Sequence, residues 1–160
     1  MSNAEFFAKK LADEIPAFTR VIRALPGDRL DYKPHEKNTG AGALAFQLAD
    51  EMNGLAELFE NGRTTYEPRE TPKSIDDIAA AFEKNAERAV TAAKSVTEER
   101  WNGPAKFYVG EHLAWEDTVA EMTWGFLLDM IHHRGQLTAY LRPMGGKVPK
   151  VYGPSADDQS

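Results

Sequence analysis

Asp129, His132, His133, Arg134 and Gln136 crowd into two helical turns of "DMIHHRGQLTAYLRPMGG", residues 129–146. Carboxylates and imidazoles are the side chains that ligate zinc, nickel or manganese and that move protons near neutral pH. Asp129 and His133 stand four residues apart, one turn of a helix, so both can address the same small volume. That is the spacing of two metal ligands. It is equally the spacing of a hydrogen-bonded pair in which the carboxylate orients the ring, whether the ring then serves as an acid–base catalyst or only satisfies a polar core position.

Stepping about 100° per residue from Phe126 places Leu137 and His133 about 20° either side of it, Tyr140 about 40° and Asp129 about 60° away. His133 is expected at the centre of the inward stripe and Asp129 on its flank. Gln136 and His132 fall progressively further off, and His132 is not expected to be a ligand. The same construction from Leu48 puts Glu51 about 60° and Gln47 about 100° off the inward direction of an earlier helix. Glu51 could therefore bond His133 or Arg134, complete a metal shell with Asp129 and His133, or remain a solvated flank residue. A neutral glutamine amide at Gln47 is a poorer ligand than a carboxylate or an imidazole. His35, in a loop, and His112, ahead of the last helix, are expected at the surface.

Four helices must position these residues. Phe7, Leu11, Ile15, Phe18, Ile22 and Leu25 mark the first, with Pro16 expected to bend it. Leu44, Leu48, Met52, Leu55 and Phe59 mark the second, which Gly62 can close in a left-handed cap. The third starts at Ser74, with Asp77 three positions on in a capping-box arrangement, and carries Ile78, Phe82, Ala86, Val90 and Ala93. The fourth stripe reads Trp115, Val119, Met122, Phe126, Met130, His133, Leu137 and Tyr140 and ends at Pro143 and the paired glycines. No stretch alternates over a strand's length, so the expectation is an all-α, four-helix bundle: a single domain over 1–160 with an extended tail from about 146.

The chain's 160 residues, 42% hydrophobic and 28% charged, suit one domain with a real core. A net charge of −6 argues against nucleic acid or an anionic membrane as the main partner. The absence of cysteine removes disulfides, thiolate metal sites and a cysteine nucleophile, so any thiol must come from outside. The start lacks a signal-peptide pattern and no stretch of 18 apolar residues occurs, which reads as cytoplasmic. The glycines of "NTGAGAL" lack a phosphate-loop lysine, and Trp101, Trp115 and Trp124 lack a basic groove; both features read as structural.

"IHHRGQLTAYLRPMGG" with "VPKVYG", the helix containing "FQLADEM" and the four-helix pattern together resemble the DinB-like superfamily. That group includes the YfiT-type metal-dependent hydrolases and the bacterial low-molecular-weight-thiol transferases. The resemblance implies an up-down-down-up bundle, a homodimer, and a divalent metal held by three histidines, one on the second helix and two at i, i+4 on the last. Those positions fall on Gln47, Asp129 and His133, of which only His133 keeps the family's residue. The implied function is a metal-dependent thiol transferase or hydrolase acting on a small electrophile, with Glu51 as a substitute ligand and Arg134, Gln136 or Tyr140 contacting substrate. The competing expectation is a non-catalytic small-ligand-binding or stress-associated dimeric bundle, with a buried Asp129–His133 pair and no metal.

Overall fold

A computed structural model describes residues 1–160. Three of the four long helices begin with a side-chain cap. Ser2 and Glu5 form a capping box at the start of α1 (Asn3–Arg23). Ser74 accepts from the Asp77 amide at α3 (Ile75–Ser95), and Thr118 accepts from the Glu121 amide at α5 (Val119–Leu141). The second helix, α2 (Ala41–Asn61), starts at Gly40 without a side-chain cap and closes on Gly62 at φ 67°, the left-handed end expected of it. Pro16 faces solvent within α1, so its missing N–H costs nothing that water cannot replace, and the helix runs through it.

Residue pairs between helices fix their directions. Phe7 meets Trp124 and Glu14 meets Arg134, so α1 runs parallel to α5. Phe18 meets Phe82 and Arg23 meets Asp76, so α1 is antiparallel to α3. Asn85 bonds the Ala49 carbonyl and Arg88 reaches Asn53 and Glu60, so α3 is parallel to α2. Gln47 meets His133 while Gly54 abuts Phe126, so α5 is antiparallel to α2. This is the up-down-down-up order, and α1 and α2 each pack beside both α3 and α5. Every expected stripe residue of α2 is buried, and the four helices share one core of 36 buried residues.

The expectation of a purely helical bundle is corrected by the segment between α2 and α5. It holds a three-stranded sheet, β1 (Arg63–Tyr66), β2 (Pro104–Val109) and β3 (His112–Thr118), and a short helix, α4 (Glu98–Asn102). β1 pairs parallel to β2, which turns at Gly110, φ 57°, into antiparallel β3. Trp115 therefore lies on a strand, and the last helix starts four residues later at Val119. The strands escape a periodicity reading because no pairing runs beyond four residues before it ends or meets the irregularity at Phe107/Tyr108, and β3 exposes both faces over most of its length.

A second correction concerns α5. Its fully buried line runs through Met122, Leu127, Met130, Arg134 and Leu137, which puts His133 on the margin of the core and Arg134, 2% exposed, inside it. The Arg134 guanidinium tolerates burial because Glu14 accepts from it at 2.5 Å, the Tyr152 hydroxyl lies 2.6 Å away, and the Phe18 ring lies 4.6 Å beneath it. The tail beyond 146 is irregular but fastened: Asp157 accepts from Arg142 and from the Val148 amide.

Candidate metal centre and adjoining cavity

α2 and α5 meet along Gln47, Glu51, Asp129 and His133. His133 Nε2 is the common point, 3.0 Å from Gln47 Nε2, 3.2 Å from Asp129 Oδ2 and 3.9 Å from Glu51 Oε1. Glu51, Asp129 and His133 each present a ligand atom within 4.8 Å of the others. Gln47 Nε2 also donates to Glu51 Oε1 at 2.7 Å. On the far side of the ring, His133 Nδ1 lies 2.8 Å from Gln136 Oε1. An amide oxygen only accepts, so Nδ1 carries a proton, and Nε2 is the nitrogen that faces the cluster.

Burial separates the two carboxylates. The Glu51 side chain is 12% exposed and Asp129 57% exposed. The anticipated buried Asp129–His133 pair is thus corrected: the buried acid is Glu51, and Asp129 reaches in from the rim. Burial pushes the Glu51 carboxyl up to about 7, the Gln47 hydrogen bond opposes the rise, and the Asp129 charge adds to it. Glu51 Oε2 is buried without any hydrogen-bond partner.

This donor set fits a divalent cation. With a proton on Nδ1 and none on Nε2, the Nε2 lone pair faces the Asp129 oxygen, two acceptors at 3.2 Å with no proton between them. Protonating Nε2 would satisfy Asp129 and leave the Gln47 N–H pointing at another N–H. A cation among Nε2, Asp129 and Glu51 would separate the two acceptors and engage the orphaned Glu51 oxygen, taking the Nε2 lone pair from the Gln47 N–H. Two carboxylates with one imidazole suit manganese or zinc better than softer ions.

Beside the cluster opens a cavity of about 710 Å³ between α2, α5 and the sheet, reaching Gln47, Glu51 and Asp129 at one end. Phe107, Trp115 and Phe126 form its walls, with Tyr66 at the rim. The Phe107 and Phe126 rings meet edge to face with centroids 5.5 Å apart. Two glycines inside helices make room for them. A Cβ on Gly54 would stand 2.9 Å from Phe126 and one on Gly125 2.5 Å from Trp115. Glycine within a helix costs roughly 0.5–1 kcal/mol relative to alanine, and here the ring contacts supply the reason.

The remaining expected site residues lie elsewhere. None of Arg134, Gln136 and Tyr140 lines the cavity. Arg134 is held by Glu14, Gln136 bonds the outer nitrogen of His133, and Tyr140 is buried against Tyr32 with its hydroxyl donating to the Thr39 carbonyl. His132, His35 and His112 are exposed, as expected. The sheet residues of the cavity were missed because their strands were missed. The signal that could have found them is the pair of mid-helix glycines Gly54 and Gly125, each in close contact with an aromatic ring, though Gly135 shows that a helical glycine alone does not mark such a contact.

The structure is an up-down-down-up bundle roofed by a small sheet, with a carboxylate–imidazole cluster that could hold a metal ion between its second and last long helices. The chain belongs to the DinB family, whose sequence profile matches residues 1–160. It is similar in fold to two solved DinB-like proteins. One is YjoA of Bacillus subtilis, at 18% identity and TM-score 0.70, over 96% of this chain and 98% of that one. The other is a protein of Bacillus cereus ATCC 10987, at 18% identity and TM-score 0.75, over 92% and 97%. No curated protein matches the sequence.

Proposed function

We propose that the protein is a metal-dependent transferase or hydrolase for a small electrophile, with Glu51, Asp129 and His133 as ligands and Gln47 beside them. The observation that carries this reading is the convergence of three ligand atoms within 4.8 Å at the end of an aromatic-walled cavity. A divalent ion there would lower the pKa of a thiol or water next to it. The chain's own residues do the rest. Gln136 fixes the His133 ring, Gln47 holds Glu51, and the Phe107, Trp115 and Phe126 walls exclude water from a bound electrophile. In the same reading the protein is a cytoplasmic homodimer that binds neither nucleic acid nor membrane; no helix is long and apolar enough to cross a membrane.

One observation favours a second reading, a bundle that binds a ligand without metal. Gln47, Glu51, His133 and Gln136 already form a continuous hydrogen-bonded chain. Elemental analysis of protein purified without chelator, followed by calorimetric titration with zinc, nickel and manganese, separates the two. Near-stoichiometric binding that falls in Asp129→Ala supports the metal reading. No metal as purified and no binding on addition would remove it.

A further inference from the structure

The charge around the cavity narrows what can enter it. Four acidic side chains, Asp50, Glu51, Glu67 and Asp129, line it against the single base Arg69, a formal surplus of three negative charges. Arg69 is not free to greet an anion, because it is ion-paired with Asp50 and its guanidinium lies 5.0 Å over the Phe46 ring. A divalent cation held by Glu51 and Asp129 would offset two of the three charges and leave Glu67, at the rim, uncompensated. With or without the metal, the cavity is not positive from the protein's side.

The walls add a second, independent preference. Phe107, Trp115 and Phe126 supply aromatic surface to the lining, and a π-system attracts a cation through its quadrupole. The close approaches at Gly54 and Gly125 hold Phe126 and Trp115 in place at a cost in helix propensity. Aromatic surface beside carboxylates attracts a cation and penalises a carboxylate or phosphate, which would lose its water next to like charges with neutral donors such as Asn53 and Thr65 in place of a free base.

We infer that the cavity takes a small molecule with an apolar body and a positively charged amine, the body against the aromatic walls and the amine among the acidic side chains. The inference rests on the proposed function only in taking this cavity as the substrate site; it deepens that reading by naming the chemical class.

Three probes that share a phenyl body test it: 2-phenylethylammonium, 2-phenylethanol and phenylacetate. They are titrated calorimetrically at pH 7.5 and low salt into the full chain after chelator treatment, so that no probe carboxylate can ligate a metal. The ammonium should bind about tenfold more tightly than the alcohol, and phenylacetate more weakly than either. Trp115→Leu should remove most of the ammonium's advantage. Glu67→Gln, an exposed change that leaves folding intact, should weaken the ammonium about two- to threefold and leave the alcohol unchanged. Alcohol or phenylacetate binding as tightly as the ammonium overturns the inference, and so does the absence of binding by all three. Metal titration is read separately. Ammonium preference without metal binding would sink the metalloenzyme reading and keep this inference, and the reverse result would do the opposite.

Discussion

Chelator-treated protein should lose stability as pH rises, and Glu51→Gln should abolish most of that loss. The Glu51 carboxyl moves from 4.5 to about 7 on folding, because burial outweighs the Gln47 hydrogen bond and the Asp129 charge adds to the effect. An acid whose pKa is raised in the folded state holds more protons folded than unfolded between the two values. Its contribution is therefore fully present below about 4.5 and is lost as pH rises through about 7. At 1.36 kcal/mol per pH unit, the loss between pH 5 and pH 8 is roughly 2 to 3 kcal/mol, a visible fraction of a typical 5–15 kcal/mol total. Little of this is screened away, since the side chain is only 12% exposed. Urea midpoints at pH 5, 6, 7 and 8 measure it. The difference between Glu51→Gln and wild type should grow steadily in the variant's favour across that range. Parallel pH curves for the two proteins would refute the argument, because they would show that Glu51 stays ionised in the fold.

Asp129→Ala should cost less than about 1 kcal/mol in the same denaturation assay, because its side chain is 57% exposed, while lowering metal affinity at least tenfold by titration. Arg134→Ala should cost about 3–5 kcal/mol, since it strands Glu14 beside the core; a loss near zero in urea unfolding would show that the pair is not buried in solution. Gly135→Ala should stabilise by up to about 1 kcal/mol, because a Cβ there meets nothing within 4 Å, and a raised Tm would show it. Gly125→Ala should instead displace Trp115, seen as a change in tryptophan fluorescence with weakened binding of the phenyl probes.

The helices were legible because burial imposes a period on them. On α2 the line Leu44, Leu48, Met52, Leu55 and Phe59 is buried throughout, and the caps at Ser74 and Gly62 stand where their side chains or backbone freedom put them. α5 was harder to orient because apolar residues surround it. Leu128 is 61% exposed while Arg134 is inside, so a wheel weighted by hydrophobicity points to the wrong angle. What buries Arg134 is Glu14, 120 residues away, and no local pattern encodes that pairing. The sheet was illegible for a different reason: its strands are short, β1 buries only Thr64, and β3 is exposed along most of its length. Glu51 was legible as the more inward of two polar residues on α2, though not as the more buried of the site's two acids.

The make-up of the cluster sets its charge as well as its ligands. Three neutral histidines, which the resemblance implies elsewhere in the superfamily, would leave a divalent ion with its full charge of about +2, whereas two carboxylates and one imidazole would neutralise it. A neutral centre polarises a thiol or water less strongly and favours oxygen-preferring ions such as manganese. It also ceases to attract anionic co-substrates, and the cavity next to it offers no free base to replace that attraction, since Arg69 is paired with Asp50. The two departures are therefore consistent with each other. With Asp129 and Glu51 beside His133, the cluster and the aromatic walls both favour a partner of neutral or positive charge. A reaction that depends on drawing in an anionic thiol would have to work against both.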